Sequence, residues 1–127
     1  MESDLVKITN LKNIENWGIW KFQMRVMLTS HEAFDVVNGT LSKPTPPDDD
    51  ASQAVKTKNN TDLKEFTKKD GIAQKYIVTT MERQPMTHIL SCETAKAMWD
   101  KLFAIYENKT DISVHVLQQK WFSSKKV

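Results

Sequence analysis

The chain has 127 residues, enough for one domain that folds without disulfide or metal staples. Hydrophobic residues make up 39% and charged residues 27%, too apolar a balance for wholesale disorder, and the net charge of +2 lacks the basic excess of a dedicated nucleic-acid binder. The single cysteine, Cys92, excludes an internal disulfide, and no apolar run approaches the roughly 20 residues that span a bilayer.

The opening MESDLVKITN has neither the basic region nor the apolar core of a secretory segment, so cytosol or nucleus is the expected compartment. In that setting the sequons that begin at Asn38, Asn59 and Asn108 are chance matches. A first helix is predicted from Asn16 to Ser30, with Asn16 as its cap. At roughly 100° per residue, Trp17, Trp20, Met24, Met27 and Leu28 share one face while Ile19, Phe22 and Val26 share another. Such a helix is either buried among several neighbours or buried on one side and sticky on the other; packing on both faces is the first expectation.

A short second helix is expected from His31 to Asn38, anchored by Phe34, Val36 and Val37 and stopped by Gly39, where a left-handed backbone is accessible. The stretch TLSKPTPPDDD, from Thr40 to Asp50, then combines proline-imposed extension with adjacent like charges, which predicts an exposed, mobile loop. Asp48, Asp49 and Asp50 lack the further oxygen ligands and turn glycine of a calcium loop. Helix returns from about Ala51, weakly through KTKNN and clearly from Thr61 to Glu82, with Leu63, Phe66, Ala73, Ile77 and Met81 on one face. Lys64, Lys68, Lys69 and Lys75 lie mainly off it among Asp62, Glu65 and Asp70, the pattern of a solvated face with local ion pairs.

Pro85 suits the first turn of a short helix through Leu90. Thr94 can cap the next, in which Ala95, Met98, Trp99, Leu102 and Tyr106 recur at helical spacing to about Glu107. A last helix from Asp111 to about Ser124 carries Val114, Leu117 and Trp121. Its abrupt end in SSKKV has no turn signal, as in a domain cut from a longer chain. Strand alternation, internal repeats and sustained heptads are all missing. The expected class is all-α: one domain over residues 1–127, a compact bundle of about five to seven helices. Its expected core holds Trp20, Met24, Leu28, Phe34, Phe66, Ala73, Ile77, Trp99, Leu102, Tyr106 and Leu117.

Catalytic signatures are missing too: there is no glycine-rich phosphate loop, GxSxG, HExxH, or Asp-Thr-Gly or Asp-Ser-Gly triplet. His88 and Cys92 stand four apart, but zinc needs more ligands, and His31 and His115 offer no matching spacing. One cysteine cannot build a zinc knuckle, and Trp17, Trp20, Phe66, Trp99 and Trp121 sit at core spacing where stacking platforms need exposed rings. A non-catalytic contact domain is expected, with no metal, no cofactor and no small-molecule substrate.

Three ordered blocks resemble the Gag polyprotein of copia-type long-terminal-repeat retrotransposons. NWGIWKFQMRVML, residues 16–28, is similar to the family's opening "NY..W...M...L", and Phe34-Asp-Val-Val-Asn-Gly39 to its "W.VV.G". Phe66, Asp70, Ala73 and Ile77 follow "W...D..A...I", with phenylalanine in place of tryptophan. HILSCETAKAMWDKLFAIY, residues 88–106, is similar to "hi..c.TAkeaWd.L...Y". The last block, "L...L..LKM", meets only Leu117 and Trp121, with Ser124 and Lys126 where apolar residues are usual.

The resemblance implies the N-terminal lobe of a capsid, a helical bundle that contacts other Gag subunits in the shell of a virus-like particle. The element's RNA would be reached only indirectly, through a zinc-knuckle region with no counterpart here. Ile19, Phe22 and Val26 are the candidate self-association residues. A domesticated Gag-derived protein acting as adaptor or assembly inhibitor is the main alternative. Direct RNA binding through Lys56, Lys58, Lys64, Lys68 and Lys75 is the third.

Overall fold

In the computed structural model, residues 8–107 are described, and among them the fold is a helical bundle with no β-strand. Five α-helices follow in chain order: α1 Trp17–Ser30, α2 Phe34–Asn38, α3 Gln53–Thr79, α4 Arg83–Thr87 and α5 Ala95–Leu102. A 3-10 turn, Ile14–Asn16, leads into α1, and a π-helical turn, Phe103–Glu107, leaves α5. The helix expected at residues 111–124, with Val114, Leu117 and Trp121, lies outside the described residues.

Asn16 stands at the start of α1 but does not cap it. Its Oδ1 accepts the amides of Lys12 and Asn13 at 3.0 and 3.3 Å, and its Nδ2 donates to the Asn10 carbonyl at 2.8 Å. The side chain is thus turned back onto the preceding segment, where Asn13 caps the 3-10 turn through the Glu15 amide at 2.9 Å. This arrangement aligns Leu11 with the end of α3. The Leu11 amide donates to the Thr80 carbonyl and the Glu82 amide to the Leu11 carbonyl, each at 2.9 Å. Trp20 Nε1 donates to the same Thr80 carbonyl at 2.8 Å, so one oxygen ties α1, α3 and the N-terminal segment together.

The second helix begins three residues later than the sequence suggests. Glu32 adopts a left-handed backbone, φ 56°, which breaks the α-helical path, and the His31 ring stacks on Tyr76 at 4.8 Å. Gly39, φ 86°, ends α2 as its composition predicts.

The weak and strong helical stretches after residue 50 form one helix of 27 residues, capped by Ser52 Oγ accepting the Val55 amide at 3.3 Å. Every buried residue of α3 lies at or beyond Phe66. Its first half therefore projects from the core, and residues 40–50 run back along it. They are mostly exposed, yet tethered: Asn59 Nδ2 donates to the Thr45 carbonyl and Lys56 Nζ to the Asp49 carbonyl, both at 2.8 Å. Lys56, Asn59 and Leu63 are half-buried at three- and four-residue spacing beneath them.

Asp70 corrects the reading of α3's acidic residues as a solvated set. It is 8% exposed, accepts the buried Ala95 amide on Oδ1 at 2.8 Å, and accepts Gln74 Nε2 on Oδ2 at 2.6 Å. The carboxylate thus meets the positive end of α5, whose cap is Thr94 Oγ1 accepting the Ala97 amide at 3.1 Å. The remaining charges behave as expected: Lys58 pairs with Asp62, and Lys69 with Glu65 and with Asp35 of α2.

Trp20, Met24, Leu28, Phe66, Ala73, Ile77, Trp99, Leu102 and Tyr106 are all buried in one cluster with Leu11, Trp17, Val36, Val37 and Ile89. Phe34 departs from the expected core. It is half-buried at the first position of α2, its ring T-shaped to that of Trp99 with centres 5.7 Å apart. Leu117 is outside the described residues. The helix around Pro85 is shorter than expected, Arg83–Thr87 with a turn through Ser91, and Pro85 lies fully buried in its first turn.

Candidate contact surface

Helix α1 carries two apolar stripes, and the fold covers one. Trp17, Trp20, Met24 and Leu28 pack into the core, while Ile19, Phe22 and Val26 are 61%, 57% and 51% exposed. Packing on both faces is therefore corrected: α2, α3 and α5 approach α1 from the same side, and no described element covers the opposite stripe. Three large apolar side chains in a row on one helix face form a contiguous patch, not scattered exposure.

Beside this stripe, Lys21, Phe22, Arg25, Phe34, Trp99 and Phe103 line a cleft between α1, α2 and α5. Its aromatic wall is preorganised, with Trp99 6.0 Å from Phe103 and 5.7 Å from Phe34. Its two cations differ. Lys21 Nζ lies 2.6 Å from Glu107 Oε1 and 5.1 Å from the Phe103 ring centre. The exposed guanidinium of Arg25 lies 5.6 Å from the Phe22 ring centre, and no described carboxylate pairs with it. Glu107 also accepts Trp17 Nε1 at 3.0 Å. The Lys21 hydrogen bond, followed by that of Trp17, holds its carboxyl below the usual carboxylate range.

Arg25 and Phe103 were not singled out from the sequence. Arg25 follows Phe22 by three residues, a spacing that places it on the same face. Phe103 has no such signal, because the π turn aims it, placing it 5.6 Å from Trp17 and Tyr106 5.5 Å from Trp17.

The other candidates disperse. The His88 ring is T-shaped to that of Tyr106 with centres 6.3 Å apart and Cys92 packs half-buried against the core, and no cluster of three or more His, Cys, Asp or Glu residues suited to a metal occurs among the described residues. His115 lies outside them. Of the lysines considered for RNA, Lys58 is paired and Lys56 is tied to the loop, while Lys64, Lys68 and Lys75 are exposed along α3. No described helix is long and apolar enough to cross a membrane.

Residues 24–127 match the family described as gag-polypeptide of LTR copia-type. The chain belongs to the copia-type gag-polypeptide family. The Gag match starts inside α1 at Met24 and takes in α2 to α5, including Asp70 and the cleft residues Arg25, Phe34, Trp99 and Phe103. No curated protein and no solved structure matches the chain. Membership supports a Gag-like structural role, and the uncovered stripe of α1 groups three of the exposed large apolar side chains on one face, while Val55 and Leu90 are exposed singly elsewhere.

Proposed function

We propose that this chain is a non-catalytic structural domain whose copies associate with one another, through the outer stripe of α1, in the shell of a retrotransposon particle assembled in the cytoplasm. The observation that carries the reading is the exposure of Ile19, Phe22 and Val26 on a well-packed helix of a copia-type Gag chain. Solvent exposure of large apolar residues costs solubility, and burial against a second copy removes that cost. Each contact is individually weak, and a closed assembly makes it effective by repetition.

Light scattering on the purified chain over a concentration series tests this. The expected result is a weight-average mass that rises with concentration in the wild type and stays monomeric in Phe22→Asp, with both proteins folded by circular dichroism. A wild type that stays monomeric up to millimolar concentration overturns self-association. Equal association of Phe22→Asp and wild type overturns the assignment of the face.

A further inference from the structure

Two features beyond the α1 stripe have complementary chemistry. The first is the cleft, with an aromatic wall of half-buried Phe34 and Phe103 over the buried Trp99, the Phe22 ring at its edge, and Arg25, with which no described carboxylate pairs. No residue of the 40–50 loop lines it, so the chain does not fill the cleft with its own loop. The second is the arm made by that loop and the first half of α3. Its tethers from Asn59 and Lys56 engage only the carbonyls of Thr45 and Asp49. The side chains of Asp48, Asp49 and Asp50 stay exposed beside exposed Pro46, and no described cation pairs with them.

We propose that the Pro-Pro-Asp-Asp-Asp tip of one copy docks in the aromatic cleft of a second copy, with the arm's carboxylates on Arg25. Proline rings pack on aromatic walls with little conformational entropy left to lose, and a guanidinium takes a carboxylate in a charge-assisted pair. Lys58 pairs with Asp62, and the Lys56 ammonium on the Asp49 carbonyl is one positive charge beside three carboxylates, which leaves the tip acidic. The contact is heterologous: each copy offers one arm and one cleft, so association continues head to tail and closes only in a ring or shell. Phe22 belongs both to the cleft and to the α1 stripe, which makes the two surfaces continuous. The proposal rests on the reading that copies self-associate, and names a second, electrostatic half of that contact.

The test uses the full chain, followed by light scattering, in four forms: wild type, Arg25→Glu, the triple variant Asp48→Lys, Asp49→Lys, Asp50→Lys, and the two sets combined. All altered positions are exposed, and thermal melts check that each form is folded. Arg25→Glu and the triple variant are each expected to weaken association by roughly tenfold or more. The combined chain is expected to regain it, because the reversed arm then meets a reversed cleft. An equimolar mixture of the two separate variants is expected to associate as well, and raising salt from about 0.05 M to about 0.5 M should weaken the wild type.

Association of the triple variant equal to wild type overturns arm docking while leaving self-association standing. Weakening by Arg25→Glu without rescue in the combined chain overturns the arm as the occupant and points to a different acidic partner for the cleft. A wild type that stays monomeric throughout removes the self-association reading and this contact with it.

Discussion

The carboxylate of Asp70, in the middle of α3, accepts the backbone amide of Ala95 at 2.8 Å and so receives the first turn of α5 inside the core. The bond joins a buried charge to a helix end whose leading amides have no partner within the helix. Replacing Asp70 with Ala strands that amide without water, and a loss of about 2–3 kcal/mol is expected in urea unfolding. Thr94→Ala removes the half-buried hydroxyl of the same cap and should cost about 1 kcal/mol. Equal losses in the two variants would place Asp70 among ordinary surface caps.

The two stripes of α1 should respond oppositely to substitution. Leu28→Ala opens a hole in the core and is expected to cost about 2–5 kcal/mol. Phe22→Asp alters a side chain that is 57% exposed and should leave stability within about 0.5 kcal/mol of wild type. Denaturant midpoints measured at a concentration where the chain is monomeric make the comparison.

Stability should fall at both ends of the pH range. Glu107 is held below its ordinary value of 4.5 by Lys21 and Trp17, so its contribution is present above that value and is lost as pH falls through the folded pKa. At the basic end, burial opposes the charge on Lys69, but its hydrogen bonds and charge attraction to Asp35 and Glu65 outweigh that and raise it above 10.5. That contribution is full below 10.5 and is lost as pH rises through the raised value. Burial raises Tyr106 above 10.0, which adds a further loss over the same alkaline window as the unfolded phenol ionises first. Thermal midpoints across pH should show both declines, and Glu107→Gln should flatten the acid one alone.

Two glycines should give shifts of opposite sign. Gly39 sits at φ +86°, and an added Cβ would meet Lys96 Cε at 3.0 Å, so Gly39→Ala is expected to destabilise by about 1–2 kcal/mol. Gly71 lies inside α3 with nothing within 4 Å of an added Cβ. Gly71→Ala should therefore stabilise by about 0.5–1 kcal/mol, read as a rise in melting temperature.

Much of the bundle was legible along the chain because its causes are local. The spacing of Trp17, Trp20, Met24 and Leu28 marks a helix face, and Thr94 and Gly39 mark helix ends, through bonds and dihedrals that span only a few residues. Asp70 carried a signal that composition masked. It stands four residues after Phe66 and three before Ala73, on the core register of α3, although charge alone placed it in solvent.

The two apolar stripes of α1 follow from helical periodicity alone, which settles the residues that share a face. Which stripe is covered is a matter of packing. Burial depends on where α2, α3 and α5 arrive, and their arrival is set by contacts between distant residues, such as Trp20 with Thr80, Trp17 with Glu107 and Asp70 with Ala95. Those pairings leave Ile19, Phe22 and Val26 facing water and place Arg25 at the edge of an aromatic cleft. No spacing rule along one helix contains that information, because it belongs to the neighbours.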